Sequence, residues 1–417
     1  MISVRPSKIT GQIAAIPSKS DAHRAIICAA LAQVPTKIDL VGTSLDIEAT
    51  IFCVESIGAE VERGDGFIVV RPIKDVPLSP ALDMGESGST LRFLLPVAAA
   101  IAEGATFKGS GRLPERPIGD LLDALKGGGA RFSSDKLPLR IEKCLENAMF
   151  KIRGDISSQY VSGLLFALPL VGGGEIALTT SLESAPYVGM TVNTMAAFGV
   201  DVERENDTFK VTAEQKYKSP SSYAVEGDWS NAAFFLISGA INEKITLSGL
   251  NRDSLQGDKE ILDILRAFGA IVHEENEQVI ISPGELSGIN IDLTDIPDTL
   301  PALSIVAALS KGQTVFTGAK RLRLKESDRI SSVVNLVRAL GAQAKETDDG
   351  LVIEGGLNKI KSARVDSCGD HRIAMAAAIA GTVCDGKVEI TNERAVDKSY
   401  PAFFEHLKML GGKIDVE

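Results

Sequence analysis

A short phrase recurs along the chain: an apolar run closes on a glycine, then come a short strand, a polar turn and a second strand. It reads Ile57-Gly58-Ala59-Glu60-Val61, Gly129-Ala130-Arg131-Phe132 and Phe198-Gly199-Val200-Asp201-Val202. It returns as Phe268-Gly269-Ala270-Ile271-Val272, Leu340-Gly341-Ala342-Gln343-Ala344 and Leu410-Gly411-Gly412-Lys413-Ile414. Taking the glycines at 58, 129, 199, 269, 341 and 412, the spacings are 71, 70, 70, 72 and 71 residues. A period this regular means that one supersecondary unit is copied six times, each copy burying its apolar face against others.

Each glycine follows an amphipathic helix, at the C′ position that glycine favours. Apolar residues Ile261, Leu262, Leu265 and Phe268 mark one such helix, and Val333, Val334, Val337 and Leu340 another, at i, i+1, i+4 and i+7, one face of a helix. A second, more apolar helix opens each unit, at Pro17-Ser18-Lys19-Ser20, Gly85-Glu86-Ser87-Gly88-Ser89, Ser157-Ser158-Gln159, Gly227-Asp228-Trp229-Ser230, Pro297-Asp298-Thr299 and Gly369-Asp370-His371. Ser, Asp and Thr are the residues that cap helix N-termini. The runs behind three of these starts, residues 25–32, 164–171 and 374–380, are apolar enough for helices buried all round. Each unit therefore reads β-α-β-α-β-β. Six such units cannot share one sheet, so they divide three and three. The break falls near 223–227, after the Ser219-Pro220-Ser221-Ser222 loop. The expected fold class is α/β (α+β).

With 417 residues the chain exceeds one ordinary core. Its 55 acidic residues outnumber 44 basic ones, giving a net charge of −11. That excludes the broad basic face on which nonspecific nucleic-acid or anionic-membrane binding depends. The N-terminal residues lack the apolar core of a signal peptide, and no apolar stretch approaches the ~20 residues that span a bilayer. The five cysteines share no metal-ligand spacing and read as reduced, buried residues of a cytoplasmic protein. No Walker loop, paired-glycine fingerprint or His/Cys cluster is present, so no metal and no cofactor is expected.

The charges are less evenly spread. A helix N-terminus is already electropositive and binds phosphates or carboxylates. Basic residues nonetheless gather at these starts: Lys19 and Arg24, Arg92, and Arg372 beside Asp370-His371. The second helices repeat the habit in Arg112-Leu113-Pro114-Glu115-Arg116-Pro117, Arg323-Leu324-Lys325-Glu326-Ser327-Asp328-Arg329 and Lys398-Ser399-Tyr400-Pro401. Each alone reads more readily as a surface charge, Asp298 as a helix cap, and Glu326 as half of an i, i+3 surface pair with Arg329. Together they point to anionic small molecules.

On Pro17-Ser18-Lys19-Ser20 with Arg24, Ser87-Gly88-Ser89-Thr90 with Arg92, Glu115-Arg116-Pro117-Ile118, Ser157-Ser158-Gln159, Leu324-Lys325-Glu326-Ser327-Asp328-Arg329, Gly369-Asp370-His371-Arg372 and Lys398-Ser399-Tyr400-Pro401, the chain resembles the 5-enolpyruvylshikimate-3-phosphate (EPSP) synthase family. The resemblance runs from about Pro17 to Phe404. It implies an inside-out α/β barrel of two lobes, three βαβαββ repeats each, closing over the substrates. Residues 18–227 would form the N-terminal lobe, and 1–17 plus 228–417 the C-terminal one. The implied reaction moves the enolpyruvyl group of phosphoenolpyruvate to the 5-hydroxyl of shikimate 3-phosphate and releases phosphate, a step toward chorismate and the aromatic amino acids.

Carried over to these positions, the resemblance assigns Lys19, Ser20, Arg24, Ser157, Ser158, Gln159, Ser184, Asp298, Arg321 and Lys325 to shikimate 3-phosphate. Lys19, Gly88, Arg116, Gln159, Arg329, Arg372 and Lys398 are assigned to phosphoenolpyruvate. Arg forks suit a carboxylate, and lysines with backbone donors suit a phosphate. Asp298 is the implied general base for the 5-hydroxyl. Glu326, with a neighbouring cation such as Lys398, would move the methylene proton, and Lys19 and His371 complete the catalytic set. Retention of Gly88 implies that glyphosate competes with phosphoenolpyruvate. Three departures stand out: the first motif lacks a glycine after Pro17, Glu86 replaces an asparagine, and Arg321 stands where relatives place an asparagine. The sister enzyme acting on UDP-N-acetylglucosamine commonly uses a loop cysteine, and residues 109–119 contain none. The expected partners are the two small molecules alone, acted on by a monomer.

Overall fold

The computed structural model describes residues 1–416. Among them lie twelve α-helices: α1 (Lys19–Leu31), α2 (Leu45–Ser56), α3 (Gly88–Ile101), α4 (Gly119–Gly127), α5 (Ser158–Ala167), α6 (Ala185–Ala197), α7 (Trp229–Ile241), α8 (Ile261–Phe268), α9 (Leu300–Leu309), α10 (Arg329–Ala339), α11 (His371–Gly381) and α12 (Phe403–Met409). The strands between them form six four-stranded sheets among the described residues. The pattern within a sheet is one parallel pair followed by antiparallel neighbours. Ala81–Asp83 runs parallel to Thr106–Lys108 across the α3 crossover, and Thr106–Lys108 is antiparallel to Leu139–Lys143. A parallel step needs a crossover helix, which is why the more apolar helix of each pair sits there. The result is a mixed α/β fold.

The chain divides into two compact units, Met1–Ile16 with Glu226–Glu417, and Pro17–Val225, each with its own hydrophobic core. Edge strands fix where the chain passes between them. Gly11–Ala14 runs parallel to Ile245–Ser248 in the 226–417 unit, and Ser222–Ala224 runs parallel to Thr36–Asp39 in the 17–225 unit. The Asp228 amide donates to the Ile16 carbonyl at 2.8 Å, tying both ends of the 226–417 unit together. The unit boundaries thus fall at 16/17 and 225/226, rather than at the expected 17/18 and 227/228.

In the 226–417 unit α7, α9 and α11 pack on one another, and Ala374, Ala376, Ala377 and Ala378 of α11 are wholly buried. In the 17–225 unit α3 packs on α1 and α5. The α3–α5 crossing is close: a Cβ on Gly163 would stand 2.0 Å from the Arg92 carbonyl oxygen. The second helices show one buried stripe, as in α8, where Ile261, Leu262, Leu265 and Phe268 are buried.

The recurrent glycine does adopt the left-handed backbone after a helix, at Gly58, Gly129, Gly199, Gly269 and Gly341. In the last copy that residue is Gly411 (φ 105°), not Gly412. The Gly411 amide reaches back to Lys408 and the Gly412 amide to Leu407, the pairing that Gly129 and Ala130 make with Lys126 and Leu125. Gly412 therefore occupies the place of Ala130, and the adjacent glycines shifted the expected frame by one residue.

Candidate active site

Ser18, Ser87, Ser157, Asp228 and Asp370 cap α1, α3, α5, α7 and α11, each accepting from a backbone amide two or three residues on. These caps place the residues just after them at the positive ends of buried helices. The other expectation, that Arg116, Lys325 and Lys398 begin helices, is not met. Short 3-10 turns at Leu113–Glu115, Lys320–Leu324 and Glu393–Lys398 precede α4, α10 and α12, and these cations lie on or beside the turns. Only Arg329 opens its helix.

In the 17–225 unit Lys19, the first residue of α1, donates to Asp46 Oδ2 at 2.7 Å. Gln159 lies between two helices: its Oε1 accepts from Arg92 Nη1 at 2.8 Å and its Nε2 donates to Ser89 Oγ at 2.8 Å. Gly88 opens α3 beneath two guanidiniums, since a Cβ there would stand 2.5 Å from Arg116 Nη1 and 2.8 Å from Arg92 Nη1. Arg92 Nε is buried without a hydrogen-bond partner. Arg24 is 1% exposed, and its donors are spent on Thr191 Oγ1 (2.9 Å), Ser20 O (2.5 Å) and Tyr187 O (2.7 Å). Burial pulls its guanidinium down to about 10, partly opposed by Asp21. Ser157 caps α5, Ser158 follows it, and Ser184 precedes α6 in the left-handed region (φ 53°). Glu86 is exposed, and its carboxylate leans over Gly111, where a Cβ would meet its Cδ at 2.4 Å.

In the 226–417 unit Asp298 is the centre. It lies on a 3-10 turn, Pro297–Thr299, ahead of α9, and Thr299 holds the cap position without a side-chain bond, so Asp298 is not a cap. Asp298 Oδ1 accepts from Arg329 Nη1 at 2.7 Å and Lys325 Nζ at 3.4 Å, and Oδ2 accepts from Arg372 Nη2 at 3.3 Å. Burial would raise the Asp298 carboxyl, but Arg372, Lys325 and Arg329 overcome it and hold the group well below the usual carboxylate range.

Asp370, wholly buried, orients Arg329 from behind by accepting Nε at 3.0 Å and Nη2 at 3.4 Å. Burial would lower the Arg329 guanidinium, yet Asp370, Asp298 and Glu326 raise it, so it stays charged. His371 Nδ1 and Glu326 Oε2 are 2.8 Å apart. Lys398 Nζ donates to the Gly369 carbonyl at 2.7 Å, and Arg321 donates to the Thr294 carbonyl. His371 is thus a close neighbour of Glu326, one to which the sequence had not tied it.

Single donor atoms of Glu326, Asp370 and His371 lie within 4.8 Å of one another, close enough for a metal ion. The chemistry argues for an ion-pair network instead. Asp370 already accepts from Arg329, Ser327 Oγ (3.2 Å) and the Arg372 amide (3.0 Å), and the fixed Arg329 charge would repel a cation.

The structure thus gathers Asp298, Lys325, Arg329 and Arg372 in one unit, and Gly88, Arg116 and Gln159 in the other. Sequence reasoning assigned no role to Asp46, Asp370 or Arg92. Arg92 had been visible as a helix-start cation, and Asp370 as part of a motif. Asp46 carried no signal beyond an acidic residue in the first turn of a helix.

Comparisons with known proteins place the chain in a family. Residues 4–407 match the family model described as EPSP synthase (3-phosphoshikimate 1-carboxyvinyltransferase). The 3-phosphoshikimate 1-carboxyvinyltransferase of Clostridium kluyveri is 40% identical, over 99% of this chain and 98% of the relative. That of Clostridium perfringens (strain 13) is also 40% identical, with the same coverage. The EPSP synthase structure from Acinetobacter baumannii superposes with a TM-score of 0.82 at 27% identity, covering 100% of this chain and 99% of that one. The enolpyruvyl transferase NikO from Streptomyces tendae, at 17% identity and a TM-score of 0.77 over 99% of this chain and 98% of its own, shares the fold. With a family model matched over nearly the whole chain and relatives 40% identical along nearly their full length, this protein belongs to the EPSP synthase (3-phosphoshikimate 1-carboxyvinyltransferase) family.

Proposed function

We propose that this chain carries out its family's transfer with the residues described above, and that its six βαβαββ copies form the inside-out barrel of two lobes, three copies each. The enzyme is a transferase: the 5-hydroxyl oxygen of shikimate 3-phosphate bonds to C2 of phosphoenolpyruvate while C3 takes a proton. Loss of phosphate and of a C3 proton then restores the double bond. No residue becomes covalently attached and no cofactor is called for. The substrates are the expected partners, met by a cytoplasmic monomer. Among the described residues no helix is long and apolar enough to cross a membrane.

One observation carries the assignment of roles: Asp298 accepts from Lys325, Arg329 and Arg372 together. A carboxylate so clamped is a weak base. Phosphate and carboxylate groups of the substrates compete for the same cations, and when they take them the Asp298 carboxylate regains its basicity. Asp298 then accepts the 5-hydroxyl proton. Glu326, with His371 at 2.8 Å, is assigned the C3 proton, and Lys398 the phosphate that departs. Arg329 and Arg372 are assigned to phosphoenolpyruvate, as are Arg116, Lys19, Gln159 and the Gly88 amide. Ser20, Arg24, Ser157, Ser158, Ser184, Arg321 and Lys325 are assigned to shikimate 3-phosphate, together with Asp298 and with Lys19 and Gln159, which both substrates share. Arg24 and Arg321 contribute mainly by shaping that side, because protein carbonyls already engage them. Gly88, whose missing side chain leaves Arg116 and Arg92 close above the backbone, supports competition by glyphosate, a small anion of similar span. Phosphate release from phosphoenolpyruvate is the test. It should require shikimate 3-phosphate and fall as glyphosate rises at fixed phosphoenolpyruvate. Release that ignores shikimate 3-phosphate would reject the activity, and release that ignores glyphosate would reject the pocket.

A further inference from the structure

α1 presents two faces to two separate networks. Arg24 faces α6 and α5, through Thr191 Oγ1 at 2.9 Å and from there Ser162 Oγ at 2.7 Å. His23, about 100° round the helix, faces the other way. Its Nδ1 is 2.7 Å from Thr50 Oγ1 on α2, which is 2.7 Å from Thr90 Oγ1 on α3. Thr90 Oγ1 is in turn 2.7 Å from Ser87 Oγ, the cap of α3. All four side chains are buried, His23, Thr50 and Thr90 completely.

Buried hydroxyls cost stability unless partnered. Here the partners choose one another across three helices, which sets their rotation and axial shift in a way apolar contacts would not. The ends of this chain fall beside the phosphoenolpyruvate groups. His23 is one turn from Lys19, Thr50 is one turn from Asp46, and Ser87 precedes Gly88. Thr90 Oγ1 also lies 3.4 Å from the Asp46 carbonyl. The imidazole acts through Nδ1 alone, since Nε2 is buried without a partner and the ring edge meets Phe93, centroids 6.3 Å apart. Burial, reinforced by Lys19 and Arg24, keeps the ring neutral, so it adds no third positive charge.

We propose that His23, Thr50 and Thr90 are positioning residues: a buried imidazole–hydroxyl chain that sets the spacing of Lys19, Asp46 and Gly88 and thereby tunes capture of phosphoenolpyruvate, without touching substrate. The proposal rests on the assignment of Lys19 and Gly88 to that substrate. Gly88 is assigned to phosphoenolpyruvate alone and Arg24, on the shikimate 3-phosphate side, is held by the other network, so cutting the chain falls mainly on phosphoenolpyruvate and reaches shikimate 3-phosphate only through the shared Lys19.

Steady-state phosphate release by Thr50→Val, Thr90→Val and Thr50→Ser, with melting curves, tests it. Valine keeps the shape and removes the hydroxyl, whereas serine keeps the hydroxyl and removes the methyl. The folded valine variants should raise KM for phosphoenolpyruvate about threefold to tenfold, with KM for shikimate 3-phosphate and kcat within about twofold. Thr50→Ser should stay within about twofold of the unaltered enzyme on all three, and if neither valine variant folds, a Thr50→Ser enzyme that departs further overturns the proposal. An unchanged phosphoenolpyruvate KM in a folded valine variant also overturns it. So does a rise shared equally by both substrates, which is general loosening. An unaltered enzyme that releases no phosphate would instead locate the failure in the assigned activity.

Discussion

In the 17–225 unit the cations rest largely on neutral groups: Arg92 on the Gln159 amide, Arg24 on two carbonyls and a threonine, with Lys19 and Asp46 an exception. In the 226–417 unit carboxylates hold the central cations, Asp298 taking three and Asp370 steadying Arg329 from behind, while Lys398 and Arg321 donate to backbone carbonyls. A neutral partner leaves the positive charge available, so an incoming anion adds to it without displacing anything. A carboxylate partner cancels the charge, so an incoming anion must exchange with it and leaves behind a freed base. The first arrangement suits capture and the second couples capture to chemistry. A static cluster of lysines and arginines would not make that distinction.

The largest expected effect comes from removing the exchangeable carboxylate. Asp298→Asn keeps the shape and loses the base, and turnover should fall roughly 10²–10⁴-fold. Near-normal turnover would make Asp298 a mere counter-ion and dissolve the contrast between the units. Next is Arg372→Ala, which removes one of the exchanged cations. It should cost about 1.5–3 kcal/mol in kcat/KM, read mainly as a higher KM for phosphoenolpyruvate. An unchanged KM and turnover would place Arg372 outside the site.

The repeat that organises these clusters was legible because a left-handed C′ position selects glycine, and five of the six glycines were placed correctly. At Gly411-Gly412 two glycines offer the same freedom and only the backbone hydrogen bonds tell them apart. Lys19, Arg329 and Arg372 were legible too, because positive charge at a helix start needs a reason, whereas Arg116, Lys325 and Lys398 lie on or beside turns. The carboxylate holders were not legible. Asp46 and Asp370 are common acidic residues in a first turn and at a cap, and what makes them functional is a partner 27 or 41 positions away. Sequence periodicity carries no such information.

On the 17–225 side, Gly88→Ala pushes a methyl toward Arg116 and Arg92, and moving those guanidiniums should cost about 1–3 kcal/mol. The loss should fall on phosphoenolpyruvate KM, with glyphosate affinity falling alongside. A variant with unaltered KM would mean the guanidiniums there are free to yield. The smallest effect is on folding. Because the Asp298 carboxyl is held below the ordinary aspartate value of 3.8, its ion pairs stabilise the fold above that pH. That contribution is lost as the pH falls through the still lower folded value. Urea unfolding should therefore show the enzyme ahead of Asp298→Asn at pH 7 and the gap narrowing on strong acidification. A gap that widens in acid would contradict the sign.

The exchange itself is accessible to calorimetry. Titrating phosphoenolpyruvate into Asp298→Asn and into the unaltered enzyme, without shikimate 3-phosphate so that neither turns over, separates the two roles of the carboxylate. If Asp298 occupies cations that the substrate must take, the variant binds phosphoenolpyruvate at least as tightly as the unaltered enzyme while turning over far more slowly. Binding that weakens in step with turnover would show that Asp298 only builds the site, and the account would fail.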